Sequence, residues 1–250
     1  MRNLIKAERY KLFHNFVYWL LLAAYIILGF TGTSGYEEAY SAAEYETIYV
    51  HSLSDFFCSM CSDLLLVIVP VSALLALFTG RELYKRNISV MVASGHERLH
   101  ILISKAIVKI PACFLIVIAY PTAGTIRMIP VFGTENIAYE LLLILKTMFE
   151  IFVCSSVIFL LAILFAFFIK NGIVAGVANA IVTFILTLMF ATFAGIGLNY
   201  MNIFNPCYYL RDILDPSKGF INIKAMLASL ILFSALFAVI WKLFKRGEIK

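Results

Sequence analysis

Six long stretches of this chain are apolar and almost free of charge. A helix needs about 20 consecutive apolar residues to cross the roughly 30 Å hydrocarbon layer of a bilayer. The six stretches are close to that length or longer, and together they make up more than half of the chain. The pattern therefore predicts an all-α polytopic membrane protein with six transmembrane helices in a single transmembrane domain, 1–250. The predicted spans are 16–33, 56–78, 101–122, 141–169, 173–197 and 225–244.

Three segments outside these spans have a recognisable pattern. Residues 1–15 predict a cytoplasmic interfacial helix, because Ile5, Leu12, Phe13 and Phe16 lie loosely on one side of it with basic residues mixed in; a plain basic flank is the alternative. Residues 79–100 form the longest loop on the basic side, and Ser94 followed by Glu97 fits a capping box there. Such a box predicts a helix that starts at Ser94 and continues into the third span. Residues 198–224 mix apolar and polar positions, which indicates a short re-entrant or interfacial hairpin before the last span.

Composition and charge agree with a membrane protein. Hydrophobic residues make up 62% of the chain and charged residues 14%, whereas soluble domains contain about 25% charged residues. Mean hydropathy is +0.94, and the net charge is +5. If both termini are inside, fifteen of the 20 Lys and Arg residues lie on the inner side, so positive-inside bias predicts cytoplasmic termini. These basic flanks suit anionic membrane lipids rather than nucleic acid.

One short motif suggests metal chemistry. His96 to His100 match H-E-x-x-H, in which two His on one helical face bind zinc and the Glu acts as a base. An intramembrane zinc metalloprotease is therefore an alternative function. The sequence offers no third ligand at the same depth, because Asp212 and Asp215 fall on the opposite side of the membrane by the charge pattern. We expect no metal site in this chain.

Charged residues inside apolar spans point to a second candidate region. A charge costs about 2.5–3.5 kcal/mol at the bilayer centre on insertion scales, so each needs a partner or a role. Asp63, Lys146 and Glu150 lie near the outer ends of the second and fourth spans. They predict an intramembrane polar cluster that joins the two spans or lines a cavity, or else three charges at the headgroup level. Cys58 and Cys61 have no second Cys or His pair nearby, so their role stays open.

Small residues recur every four positions at the start of the fifth span. Gly172, Gly176 and Ala180 follow the Gly-x-x-x-Gly spacing that lets helices approach closely in lipid. We expect this face to pack against a second subunit, with packing inside the chain as the alternative. No phosphate-binding loop and no nucleophile–base arrangement occur in the sequence, so we expect no catalytic residue and no ATP hydrolysis in this chain.

The order of these features resembles the permease subunits of type-2 ABC exporters. The branch concerned contains the lantibiotic-immunity and amphipathic-peptide exporters of Gram-positive bacteria. The resemblance is carried by the basic segment 4–12 (LIKAERYKL), the charged inner loop, the six spans and the outer hairpin. It covers the whole chain. His96 and His100 match no pattern of that family.

The resemblance implies a non-catalytic subunit of a bacterial plasma-membrane exporter for peptides or other amphipathic compounds. Two permeases, identical or paralogous, would pair, and each would bind a separate ABC ATPase subunit that holds ATP and magnesium. The inner loop would be a coupling helix seated in the ATPase, and the outer hairpin would act as a gate. A non-transporting immunity or sensor protein is a further alternative. The residues expected to couple to the ATPase are Arg81, Glu82, Lys85, Arg86, Ser94, Gly95, His96, Glu97 and Arg98.

Overall fold

The part of the chain that the structure describes is all-helical, which confirms the all-α part of the predicted fold class. The computed structural model describes residues 1–33, 52–84, 95–132, 137–169, 171–195, 205–212 and 223–246, and every regular element within these ranges is a helix. Numbered in chain order, the helices are α1 (Arg2–Phe13), α2 (Phe16–Thr31), α3 (Leu53–Ser62), α4 (Leu64–Tyr84), α5 (Arg98–Phe132), α6 (Ile137–Ile169), α7 (Gly172–Gly195), α8 (Pro206–Asp212) and α9 (Ile223–Arg246).

Within the described residues, five helices are long and apolar enough to cross a membrane. The first predicted span, α2, has 16 residues, which is short of the roughly 20 that a bilayer requires. It reaches that length and hydropathy only together with α1, which meets it at a bend of 62°. The sixth span thus stays a prediction. The five candidate spans are Leu64–Glu82, Arg98–Phe132, Ile137–Ile169, Gly172–Met189 and Ile223–Lys245.

The helix boundaries at the inner loop differ from the sequence prediction. α4 continues to Tyr84, so residues 79–84 belong to a helix and not to the loop. α5 begins at Arg98, since the carbonyl of Glu97 accepts a hydrogen bond from the N–H of Ile101 at 3.2 Å. Gly95 has a φ of +87°, a backbone conformation that favours glycine and interrupts a helix. The predicted helix start at the capping box is therefore wrong, and residues 85–94 lie outside the described ranges.

Side-chain contacts show which helix ends lie together. The guanidinium Nη1 of Arg98 donates to the carbonyls of Phe244 and Lys245, each at 3.1 Å, so α5 begins where α9 ends. At the other end of the bundle, the N–H of Ser54 donates to the Glu140 carboxylate at 2.8 Å. We call the end that contains α1, the end of α4, the start of α5 and the end of α9 the basic end. That this end faces the cytoplasm is a prediction of positive-inside bias.

Small residues permit the close contact between α4 and α7. A Cβ on Gly172 would lie 2.5 Å from the carbonyl oxygen of Leu77, and a Cβ on Gly176 would lie 3.0 Å from that of Ala73. Both glycines are buried within the chain. At these two positions, the close approach that the sequence predicts is thus made between two helices of one chain. Ala180 is partly exposed, and a subunit contact there stays a prediction.

The described part of the predicted outer hairpin is the short helix α8. Asn205 caps it: its Oδ1 accepts from the N–H of Cys207 at 3.0 Å, and its Nδ2 donates to the carbonyl of Leu186 in α7 at 2.7 Å. Cys207 and Leu210 are buried. α8 therefore packs against the bundle, while the remainder of 198–224 before α9 lies outside the described residues.

Gly172→Ala is expected to destabilise the protein more than Gly176→Ala. The new methyl group would lie 2.5 Å from a backbone carbonyl in the first case and 3.0 Å in the second, and overpacking typically costs about 1–3 kcal/mol. Alanine has a higher helix propensity than glycine, so propensity alone would raise the melting temperature. A lower melting temperature in detergent therefore reports the clash. Val177→Leu, at a side chain that is 56% exposed on the same helix, is the control. Equal melting of all variants and the wild type would contradict the α4–α7 packing.

Candidate functional site

Charged side chains of both signs form one continuous cluster at the basic end, where α1, α4 and α5 meet. Their charges alternate, so each carboxylate lies between two ammonium groups. We define the charge cluster as Lys11, Glu8, Lys105, Glu82, Lys109 and Thr79, in the order in which they contact each other.

Lys105 is at the centre of the charge cluster. Its Nζ lies 3.1 Å from Oε1 of Glu8 and also donates to Oε2 of Glu82. The same Glu82 oxygen accepts from Nζ of Lys109 at 3.1 Å, and that ammonium group also donates to Oγ1 of Thr79 at 3.1 Å. The side chains of Lys105 and Glu8 are only 1% and 2% exposed. An ion in such surroundings is costly unless it is paired, so each helix depends on the other two at this point.

Helical spacing explains how each helix presents its charges. Lys105 and Lys109 are four residues apart on one face of α5, and Thr79 and Glu82 are three residues apart near the end of α4. Residues at these spacings lie one above the other on a helix. Glu8 belongs to the buried face of α1. The three polar faces meet because each is complementary in charge to its neighbours.

α1 is a helix, as the sequence predicts, but it buries a different face. Leu4 and Glu8 are its buried residues, and Leu12 is partly buried next to them. Phe13 and Phe16, which were expected to share the apolar face with Ile5, are exposed. α1 thus lies against α5 through a face that combines leucines with one buried carboxylate.

A cavity of about 250 Å³ lies directly beside the charge cluster, between α1, α2, α4 and α5. Its charged end contains Arg81 and four members of the charge cluster, Lys11, Glu8, Glu82 and Lys109. Its walls further in are apolar, with Leu75 and Ile116 among them. Within the described part of the chain, Oε2 of Glu8 is buried and has no hydrogen-bond partner. The cavity therefore combines an apolar interior with a charged end that has an unused acceptor.

The structure divides the residues that were expected to contact an ATPase. Glu82 points into the charge cluster and is 18% exposed. Arg98 donates to the last carbonyls of α9. Neither side chain is thus a simple surface charge. Of the other residues, Arg81, Gly95 and Glu97 are exposed, His96 is half-buried, and Lys85, Arg86 and Ser94 lie outside the described residues.

The H-E-x-x-H sequence does not have the geometry of a zinc site. Two His ligands four residues apart share a face only within a helix, whereas α5 begins at Arg98, after His96. Oε2 of Glu97 lies 3.4 Å from Nδ1 of His100, so the carboxylate contacts one of the expected ligands. In the ranges that the structure describes, no three His, Cys, Asp or Glu side chains come together in a way that could hold a metal ion. The geometry gives the metalloprotease alternative no support.

The expected outer polar cluster is only partly brought together. Nζ of Lys146 lies 3.2 Å from Oε2 of Glu150 within α6, and the Glu150 side chain is 1% exposed. Asp63 is exposed at the break between α3 and α4, and no ion pair joins it to either residue in the described part of the chain. Cys58 lies near the Lys146–Glu150 pair, and both it and Cys61 are free thiols. The pair thus belongs to one helix.

Sequence reasoning missed Glu8, Thr79, Lys105 and Lys109 as site residues. It counted the two lysines among the basic flanks, where solvent and lipid headgroups would be their partners. Their spacing of four at the start of a long apolar helix is the signal that could have identified them. The same rule that each charge in a span needs a partner would then have pointed to an acidic residue on a neighbouring helix.

Comparison with known proteins adds no identification. No protein-family model matches the chain, and no curated protein or solved structure is found to be similar to it. A functional proposal therefore rests on the sequence, the charge cluster and the cavity beside it.

Removal of the Glu82 carboxylate is expected to destabilise the protein strongly. Glu82→Gln leaves the ammonium groups of Lys105 and Lys109 with Glu8 as the remaining carboxylate of the cluster. Breaking a buried ion pair by removing one partner costs about 3–5 kcal/mol. The double variant Glu82→Gln/Lys109→Met restores the charge balance and should melt above the single variant in detergent.

Glu97→Gln provides the matched control for that experiment. Its carboxylate is 74% exposed and pairs with His100 at the surface, where an ion pair contributes little to stability. We expect the melting temperature of this variant to stay at the wild-type value. If Glu82→Gln also melts at the wild-type temperature, the charge cluster does not hold the three helices together.

Proposed function

We propose that the chain is the permease subunit of an ATP-driven exporter. A second permease, identical or paralogous, would complete the translocation path, and separate ABC ATPase subunits would bind at the basic end. The observation that carries the proposal is the charge cluster, which connects both helices that flank the inner loop with α1. A loop that only joins two spans does not need a buried network of ion pairs at its base.

The position of the ion pairs suits transmission of force from the loop. The inner loop leaves α4 after Tyr84 and enters α5 at Arg98. Glu82 and Lys105, which pair across the two helices, lie within about two helical turns of these points. Because buried ion pairs separate only at large cost, movement of the loop would displace α1, α4 and α5 as one body. Rigid-body displacement is a common structural form of switching between states.

The last span would take part in the same movement. Arg98, the first residue of α5, donates to two carbonyls at the end of α9. The end of a helix leaves its last carbonyls without partners inside the helix, so this guanidinium satisfies groups that would otherwise need water or another donor. A displacement at the start of α5 would therefore reach α9 as well.

The basic end is also the side on which an ATPase would be available. Most Lys and Arg residues belong by sequence to the inner side, so positive-inside bias predicts that the basic end faces the cytoplasm, where ATP is present. Gly95 and Glu97 are exposed there and precede α5 directly. The proposed substrates, peptides or other amphipathic compounds, follow only from the resemblance of the chain to the type-2 ABC exporter permeases.

The ATPase encoded next to this chain's gene is expected to copurify with it and to hydrolyse ATP several-fold faster in its presence. Glu97→Lys should lower both copurification and stimulation, because it reverses an exposed charge on the proposed contact surface. The measurement is ATP turnover of the reconstituted complex with wild-type and variant permease.

Lys224→Glu is the control, since it reverses an exposed charge at the start of α9, at the opposite end of the bundle. It should leave copurification and stimulation unchanged. An ATPase that neither copurifies nor responds to the wild-type chain would contradict the proposal. Equal loss in the two charge-reversal variants would argue against docking at the basic end.

A further inference from the structure

We propose that the cavity beside the charge cluster binds one anionic phospholipid of the membrane. The phosphate would lie at the charged end, near Lys11 and Arg81, and one acyl chain would occupy the apolar part. The inference concerns only this cavity, so it does not depend on whether the chain is a permease.

The cavity has the length and polarity of an amphiphile. Along α4 its lining runs from Arg81 at the charged end to Val71 inside the bundle, a distance of about 15 Å at 1.5 Å per residue. Between these residues, Leu74, Leu75 and Phe78 line the wall. Its volume of about 250 Å³ is below the roughly 300–1,000 Å³ of pockets for drug-sized ligands. These dimensions suit a single hydrocarbon chain.

The balance of charges around the cavity favours an anion. The charge cluster contains three lysines and two glutamates, and Arg81 adds a further cation at the charged end. The surplus is two positive charges when Lys105 is included, and one positive charge among the residues that line the cavity, to which Lys105 does not belong. In the described part of the chain no carboxylate pairs with Arg81, which is exposed, whereas Lys11 is partly exposed and pairs with Glu8 at 3.3 Å. Guanidinium and ammonium groups form strong charge-assisted hydrogen bonds to phosphate oxygens.

Glu8 points to the kind of headgroup. This residue lines the same cavity, and its Oε2 is buried and has no hydrogen-bond partner among the described residues. A buried acceptor without a donor is costly, so a headgroup that carries a hydroxyl group would stabilise the site. Phosphatidylglycerol combines one negative charge with hydroxyl donors. Phosphatidylcholine has no net charge and no hydrogen-bond donor. Phosphatidylethanolamine has an ammonium donor but no net charge.

The test uses the purified full-length protein in detergent and measures retained lipid by native mass spectrometry. Phosphatidylglycerol, phosphatidylethanolamine and phosphatidylcholine are each titrated, and we expect one molecule of phosphatidylglycerol to bind about tenfold more tightly than the other two. Millimolar glycerol 3-phosphate, the headgroup without chains, should not displace it. Equal retention of the three lipids, or displacement by glycerol 3-phosphate, would overturn the proposal.

Two variants distinguish the cavity from the general basic surface. Lys11→Gln/Arg81→Gln should weaken binding of phosphatidylglycerol about tenfold or more, because each basic residue near an anionic headgroup contributes several-fold to affinity. Lys6→Gln/Arg9→Gln removes two exposed charges of α1 that do not line the cavity, and it should change binding less than twofold. An equal loss in the two double variants would assign the lipid to the surface and overturn the site.

A third variant tests the apolar part without changing any charge. Leu74 is half-buried and lines the cavity, so Leu74→Trp should fill it and abolish tight binding of phosphatidylglycerol. Its melting temperature without added lipid shows that the variant is folded. A folded Leu74→Trp protein that binds phosphatidylglycerol as the wild type does would rule out the cavity as the site of the acyl chain.

Discussion

A buried ammonium group must have a carboxylate beside it, and at Lys105 this requirement brings three helices to one point. The side chain is 1% exposed and contacts Glu8 of α1 and Glu82 of α4. Neither partner is near it in sequence, so the interaction exists only when α1, α4 and α5 are correctly placed. Helices in lipid gain no hydrophobic stabilisation from one another, so the preference for one arrangement of helices comes from close packing and polar contacts. The ion pairs add that preference at the basic end, and a hydroxyl group, Oγ1 of Thr79, completes the network on Lys109.

The same interaction gives the basic end its functional character. The pairing positions α1 beside the start of α5, and a cavity with an apolar interior remains between these helices and α2 and α4. The inner loop starts and ends within about two helical turns of the ion pairs. Force transmission and lipid binding are therefore proposed for neighbouring parts of one structure, although neither proposal requires the other.

Sequence reasoning predicted the features that depend on the composition of a single segment. It failed for the features that depend on contacts between residues far apart in the sequence. The long helices could be predicted because the cost of polar groups in lipid is a property of each segment. Lys105 could not be matched with Glu8 and Glu82, because sequence spacing says nothing about which helix ends meet. The Gly172 face was recognised, but its partner, α4, could be identified only in three dimensions. Local rules also misled: Ser94 and Glu97 fit a capping box, yet α5 begins at Arg98.

Hydrogen–deuterium exchange of the Arg2–Phe13 amides tests most directly whether the ion pairs fix α1 to the bundle. Exchange follows local opening of a segment, so α1 in the wild-type protein should exchange as slowly as the start of α5. In Glu8→Gln, which loses the ionic contact with Lys105, exchange of α1 should become much faster while α7 stays protected. Rapid exchange of α1 in the wild-type protein, or identical exchange in the two proteins, would contradict the central role of the charge cluster.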